Sequence, residues 1–281
     1  MAGHLIAAGN ALVVNTRTKS RAQDLLSRGA TWADSPAAAA RDADVVFVCV
    51  PDTPDVQAVL LGENGVVHGA KSGAIVVDHS TISPAATREM AAKLRERNVT
   101  LLDAPISGGD VGAKNATLAI MVGGDAGAFA KVEPLFRLMG KTITHCGDSG
   151  TGQLTKLVNQ ILVTVTNLAT CEALTFAKKN GLDLAKTITA LAGGAAGSWQ
   201  WSNLGPRMIK GDFAPGFMID LQLKDLRLVL EAAQVSGSPV LAAGLVHQLF
   251  TSAQASGSGK EGTQALFKVL QSLAAGGHAG V

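Results

Sequence analysis

The stretch Val45–Val50, VVFVCV, decides the fold. It is six apolar residues long, four of them Val, with no polar interruption. Such a β-branched run fits a strand covered on both faces, as in a parallel sheet flanked by helices. Ala74–Asp78, AIVVD, repeats the pattern. Further strands are expected at Ala11–Asn15, Thr100–Asp103, Ala119–Val122 and Thr142–His145. Helical stretches lie between them. Ala2–Ala8 reads as the end of a helix stopped by Gly9 and Asn10. Ser20–Arg28 is closed by Gly29, and Ser35 caps a short Ala-rich helix. Ser83 opens Ser83–Arg97, with Pro84 in the first turn. Strands alternating with helices predict an α/β domain of dinucleotide-binding type, largely parallel, over residues 1–150.

Beyond Gly152 the pattern changes. Gln153–Lys179 holds neither Gly nor Pro for 27 residues, a helix of ~40 Å at ~1.5 Å per residue. Asp183–Leu191, Asp220–Ser236, Pro239–Ser256 and Gly262–Ala274 also read as helices. The expected second domain, residues 151–281, is therefore all helical. The tail from Ala274, AAGGHAGV, reads as a frayed end.

Composition narrows the function. The chain has 281 residues with 24 Lys and Arg against 22 Asp and Glu, a net charge of +2. Hydrophobic residues make up 47% and charged residues 16%, a core-forming balance. The near-neutral charge gives no footprint for nucleic acid, which needs clustered Lys and Arg. Tyr is absent and Gly numbers 32, so Ala, Val, Leu and Ile must build a closely packed core. Cys49, Cys146 and Cys171 lie far apart with no CxxC spacing, which supports neither zinc nor a disulfide framework. A reducing cytoplasm is the expected setting. No apolar run of ~18–20 residues predicts a membrane span, and the start, MAGHLIAAGNALVV, lacks signal-peptide features.

Three segments could carry chemistry. Asp103–Gly112 reads DAPISGGDVG, where Ser107-Gly108-Gly109 follows a strand stiffened by Pro105. Glycines permit close backbone approach, and successive N–H groups can cradle an anion; a plain tight loop between strands is the other reading. GTGQLTKLVNQ opens the long helix and puts Lys156 and Asn159 three apart on one face. A lysine drawn out of water there suits acid–base work; a surface pair is the alternative. In PGFMIDLQLKDLRL, Phe217, Leu221 and Leu226 make an apolar face around Lys224 and Asp225, which could equally be a solvated pair. Trp199 and Trp201 fit a core or subunit contact. The tip of the strand ALVVN runs into Thr16-Arg17-Thr18-Lys19, with no carboxylate. The end of the second strand of a dinucleotide fold meets the adenosine ribose. Arg17 and Thr18 there suit a 2′-phosphate and favour NADP(H), with NAD(H) the alternative. Val50-Pro51 and Ser80-Thr81 also end strands, where open α/β sheets bind ligands; Ser80, Thr81 and Ser83 could instead cap the next helix.

In this order and spacing the segments closely resemble the β-hydroxyacid dehydrogenase family over essentially the whole chain. That family includes 3-hydroxyisobutyrate dehydrogenase and tartronate semialdehyde (2-hydroxy-3-oxopropionate) reductase, and DAPISGGDVGA, TLAIMVGG and KLVNQI are slightly nearer the latter. The resemblance implies a Rossmann-type NAD(P)-binding domain followed by a helical domain. It also implies hydride transfer between the nicotinamide and a short aldehyde acid or 3-hydroxy acid. Lys156 would be the catalytic lysine. Ser107, Gly108 and Gly109 would hold the substrate carboxylate, with Asn159 fixing the substrate. Thr81 would touch the nicotinamide side, Val50, Pro51, Arg17 and Thr18 would line the cofactor, and Lys224 would close over it. A homodimer or homotetramer through the helical domain is expected. Imine reductases usually lack the lysine, which argues for carbonyl chemistry; a non-catalytic scaffold module is the rival of another class.

One departure stands out. The family opens with a strand, a turn of GxGxMGxxM type and a helix. Met1-Ala2-Gly3-His4-Leu5 resembles the interior of that helix, so the strand and the fingerprint glycines are not in this sequence. The start then reads as an internal methionine, or as a short form with impaired cofactor binding. The sheet is expected to lose a central strand, at ~1–3 kcal/mol for each backbone group left buried and unpaired.

Overall fold

A computed structural model describes residues 1–276. They divide into two compact units, the first ending at Lys156 and the second beginning at Leu157.

The first unit runs α1 (Ala2–Ala7), β1 (Val13–Val14), α2 (Gln23–Ser27), β2 (Thr31–Trp32), α3 (Pro36–Ala40), β3 (Val45–Val48) and α4 (Thr53–Leu61). It continues through β4 (Ile75–Asp78), α5 (Pro84–Arg95), β5 (Thr100–Asp103), β6 (Ile106–Ser107) and α6 (Gly109–Lys114). β7 (Leu118–Gly123), α7 (Ala126–Phe136), β8 (Gly140–Gly147) and the first turns of α8 (Thr151–Lys179) complete it. The expected strands are present, but the sheet is mixed. β3, β4 and β5 are parallel, and so are β7 and β8, whereas β7 runs antiparallel to both β5 and β6. β6 follows β5 after two residues, and the chain turns back through α6, so that β7 returns antiparallel to both.

Both faces of this sheet are covered. On β4, Ile75 and Val77 point into one core with Leu102, Ile120, Val122, Val132 and Phe136. Val76 points into the other with Val48, Ile82, Met90, Leu94 and Leu101. The alternation is the period of two that a strand dictates. Each such fully buried side chain contributes about 1.5–3 kcal/mol of transfer free energy. β1 and β2 pair in a separate parallel ribbon, with no pairing to β3 among the described residues. β3 departs from the expectation of two covered faces: Val45, Val46 and Phe47 are only half-buried, while all four residues of β4 are buried.

The second unit continues α8 and adds α9 (Leu184–Ala192), α10 (Gly205–Ile209), α11 (Ile219–Ser236), α12 (Leu241–Ala253) and α13 (Leu266–Ala274). One core gathers Leu168, Leu174, Trp201, Leu226, Val246, Phe250 and Leu266. Of the described helices only α8 is long and apolar enough to cross a membrane, and 44% of the relevant window is buried inside the fold. Its buried Thr164, Asn167 and Thr170 find backbone carbonyl acceptors, as in a helix surrounded by protein. Of the expected frayed tail, 274–281, residues 277–281 lie outside the described residues, and α13 ends at Ala274.

Candidate functional site

The site in the first unit is built at the carboxyl ends of β4 and β5, where Asp78 and Asp103 are register neighbours. After β4 the chain turns through His79, Ser80, Thr81 and Ile82. Ser83 then caps α5, its hydroxyl accepting from the Ala86 N–H at 3.4 Å. Ser80 is buried and inward-facing rather than ligand-facing: its Oγ accepts from the Val50 N–H at 2.9 Å. That bond fixes the Val50-Pro51 turn between β3 and α4 against the turn after β4. Thr81 stands half-buried at the crest. His79 is wholly buried, stacked on Phe47 at 5.6 Å, and its Nδ1–H donates to the Ala104 carbonyl at 2.6 Å. Burial holds its pKa down at about 4, so the ring is neutral.

Asp103 seats the long helix. It is fully buried, and its two oxygens accept from the Gly150 and Gln153 N–H groups at 2.8 and 2.9 Å. Burial pushes its pKa up, while the backbone N–H bonds pull the other way. A carboxylate at a helix N-terminus also meets the positive end of the dipole. Gly152 explains why the seat is so close: a Cβ there would lie 2.5 Å from the Met121 carbonyl oxygen and 2.6 Å from that of Asp103. With its N-terminus held this way, α8 carries Lys156 into the protein, with 8% of its surface exposed. The surface-pair reading of this lysine is therefore wrong.

DAPISGGDVG is more than a loop. Ile106–Ser107 is a strand on β7, Gly108 and Gly109 have φ of +128° and +61°, and α6 starts at Gly109. Residues with side chains rarely adopt such values. The turn delivers Ser107 and the first N–H groups of α6 to one place, and those N–H groups have no acceptor within the helix. A carboxylate fits this donor set.

In the second unit the face of α8 beyond Lys156 forms a relay. Asn159 Nδ2 donates to Gln160 Oε1 at 2.8 Å, and Gln160 Nε2 donates to Asp225 Oδ2 at 2.5 Å. Asp225 is buried and lies 2.7 Å from Lys224 Nζ. Asn159 and Lys224, expected separately from sequence, are thus brought together by Gln160 and Asp225. The Lys224–Asp225 pair is not a solvated one. Trp201 is buried, its Nε1–H donating to the Ile188 carbonyl, whereas Trp199 is 62% exposed.

The cofactor residues nearest the start are less constrained. Arg17 is an exposed side chain 3.3 Å from Asp55, and Thr18 precedes a 3-10 turn at Lys19–Ala22. Sequence reasoning missed Gln153, Gln160 and Asp103 as organisers. Only the Gly-Thr-Gly ahead of the unbroken helix signalled that something packs closely there.

Comparison with known proteins agrees with this geometry. Residues 1–147 match the NAD-binding domain of 6-phosphogluconate dehydrogenase, and residues 150–270 match the NAD-binding domain of NADP-dependent 3-hydroxyisobutyrate dehydrogenase. The chain is 42% identical to the 2-hydroxy-3-oxopropionate reductase of Escherichia coli (strain K12), covering 98% of this chain and 94% of that one. It is 40% identical to an uncharacterized oxidoreductase of Bacillus subtilis (strain 168), covering 96% and 93%. Among solved structures, the 3-hydroxyisobutyrate dehydrogenase of Salmonella typhimurium superposes with a TM-score of 0.86 at 31% identity, over 95% of this chain and 94% of that one. A Rossmann-type sheet, a buried lysine on the helix that leaves it, and these matches along the chain carry one conclusion: the protein belongs to the β-hydroxyacid dehydrogenase family of NAD(P)-dependent oxidoreductases.

Proposed function

We infer that the protein interconverts a short aldehyde acid and its hydroxy acid with NADP(H), tartronate semialdehyde being the first candidate and 3-hydroxyisobutyrate the second. The observation that carries this reading is Lys156, nearly buried on a helix that Asp103 seats one turn before it. The nicotinamide cofactor supplies or accepts hydride at its C4 carbon when bound. Residues at the strand ends fit that cofactor. Thr81 and the Val50-Pro51 turn are fixed at the strand ends that would face the nicotinamide half, and Arg17 and Thr18 offer a cation and a hydroxyl for a 2′-phosphate.

The chain's own groups do the rest. Ser107 and the α6 N-terminus bind the substrate carboxylate, which fixes the face of the carbonyl presented for reduction. Lys156, as an ammonium, gives a proton to the carbonyl oxygen in reduction and takes it back from the hydroxyl in oxidation. Asn159, held by Gln160, orients the neighbouring oxygen. Lys224, braced by Asp225, closes over the cofactor. We assign the enzyme to the reducing cytoplasm, which keeps Cys49, Cys146 and Cys171 as thiols. Val158, Leu162 and Phe176 are 57–69% exposed along α8 and support a homodimer or homotetramer through the helical unit.

The test is turnover of tartronate semialdehyde against methylmalonate semialdehyde, the oxidised partner of 3-hydroxyisobutyrate, with NADPH and NADH. Faster NADPH oxidation with tartronate semialdehyde is expected. Equal inactivity with both acids, in a sample shown to bind NADPH, overturns the substrate class.

A further inference from the structure

Gln153 is wholly buried, yet neither of its side-chain polar atoms serves its own helix. Its Oε1 accepts from the Ile82 N–H at 3.1 Å, and its Nε2 donates to the Ser80 carbonyl at 2.8 Å. These two peptide groups flank Thr81. The pattern is the one a parallel neighbouring strand makes, with one residue bonding the C=O before and the N–H after its opposite number. A side-chain amide thus replaces a strand beside a turn that has left the sheet. Ser80 is in turn bonded to the Val50 N–H. Gln153's own N–H is bonded to Asp103, and Lys156 follows three residues later on the same side of α8.

We propose that Gln153 is a positioning residue that sets the separation between the cofactor-facing turn at Thr81 and the catalytic Lys156. This rests on the function assigned above. The turn and the helix come from sequence positions 71–73 residues apart, and the two hydrogen bonds of the Gln153 amide join them directly. Gln153 does not touch the reacting atoms. It holds the two surfaces that must meet the substrate from opposite sides, and misplacement by ~1 Å there costs about 100-fold in rate.

Two measurements test the bracket. The first is amide hydrogen exchange at Ile82 in the cofactor-free protein. Gln153→Ala should speed exchange at Ile82 at least tenfold, while Gln153→Glu, which keeps the acceptor, retains most of the protection. Unchanged exchange in Gln153→Ala overturns the bracket. The second is steady-state kinetics with NADPH deuterated at the transferred position. Gln153→Ala should lower kcat about 10- to 100-fold, leave the NADPH Kd within threefold, and raise the isotope effect on kcat. A fall in kcat that only tracks lost folded protein, with an unchanged isotope effect, overturns the positioning role. A wild-type protein without turnover on any short aldehyde acid sinks the functional assignment instead, and the exchange measurement then decides the bracket alone.

Discussion

β3 and β4 lie side by side with nearly the same apolar sequence, VVFV and IVVD, yet they live in different surroundings. β4 has a parallel neighbour on each side and all four residues buried. β3 is paired on one side only, and three of its four residues keep part of their surface. Sequence encodes the capacity of a strand to be buried; the neighbours decide whether it is. The contrast extends to the chemistry. The β4–β5 half ties Asp103 and Gln153 into hydrogen bonds among buried atoms and seats the helix that carries the buried Lys156. The β1–β3 half offers Arg17 and the Val50-Pro51 turn on a more open surface.

If the halves differ in this way, substitutions should rank accordingly. The largest effect belongs to Lys156→Ala, which should lower kcat by about 10²–10⁴ while leaving the NADPH Kd nearly unchanged. Near-normal turnover would remove the lysine from the chemistry. Gly152→Ala comes next. Its methyl group would drive the start of α8 off two carbonyl oxygens, so kcat should fall about 100-fold in protein that still folds. A variant with wild-type kcat would show that the seat need not be close.

His79 sits where the halves meet, and its contribution depends on pH. Its folded pKa of about 4 lies below the ordinary value of 6.5, so the unfolded chain binds more protons between the two. Stability is therefore complete above pH 6.5 and is lost as pH falls toward 4, by about 3 kcal/mol in total. Urea midpoints at pH 7.5 and 4.5 should differ far more in the wild type than in His79→Phe; equal differences would exclude His79 as the cause. The smallest effect is expected from Arg17→Ala. The exposed pair with Asp55 contributes little, and a 2′-phosphate can displace it. The KM for NADPH should rise about three- to tenfold with that for NADH unchanged. A matching rise for NADH would mean that Arg17 does not read the phosphate.

The strands and long helices were legible because burial on both faces leaves an unbroken apolar run and a core helix excludes Gly and Pro. Thr100–Asp103 and the end of α8 at Lys179 match the sequence reading to the residue. The candidate site was legible in its polar side chains and not in the links that hold them. Lys156, Asn159, Ser107 and Lys224 stand out as polar residues in apolar or glycine-rich settings. Other elements were hidden by their own chemistry. α6 contains Gly109 and Gly112, poor helix formers, and a Cβ on Gly112 would lie 3.1 Å from Leu118 Cδ2. α4 and α7 each carry a proline, at Pro54 and Pro134, that obscures the period. β2 and β6 are two residues long and exist only through their partners. The antiparallel direction of β7 and the links of Asp103 and Gln153 to distant segments are tertiary facts that no local pattern records.

The grip of Asp103 on Gly150 and Gln153 spans 47 and 50 residues of chain, and this has a consequence for the order of assembly. During synthesis the sheet can form its strands early, but the buried carboxylate has no N–H partners until the chain has emerged past position 153. A fragment cut at residue 147, after the last strand, would keep the sheet and lose both donors. An acceptor stranded in this way costs ~1–3 kcal/mol, more when charged. The first unit is therefore completed by the opening turns of the helix that leaves it, and a cut after Lys156 should yield a more stable fragment than a cut after Gly147.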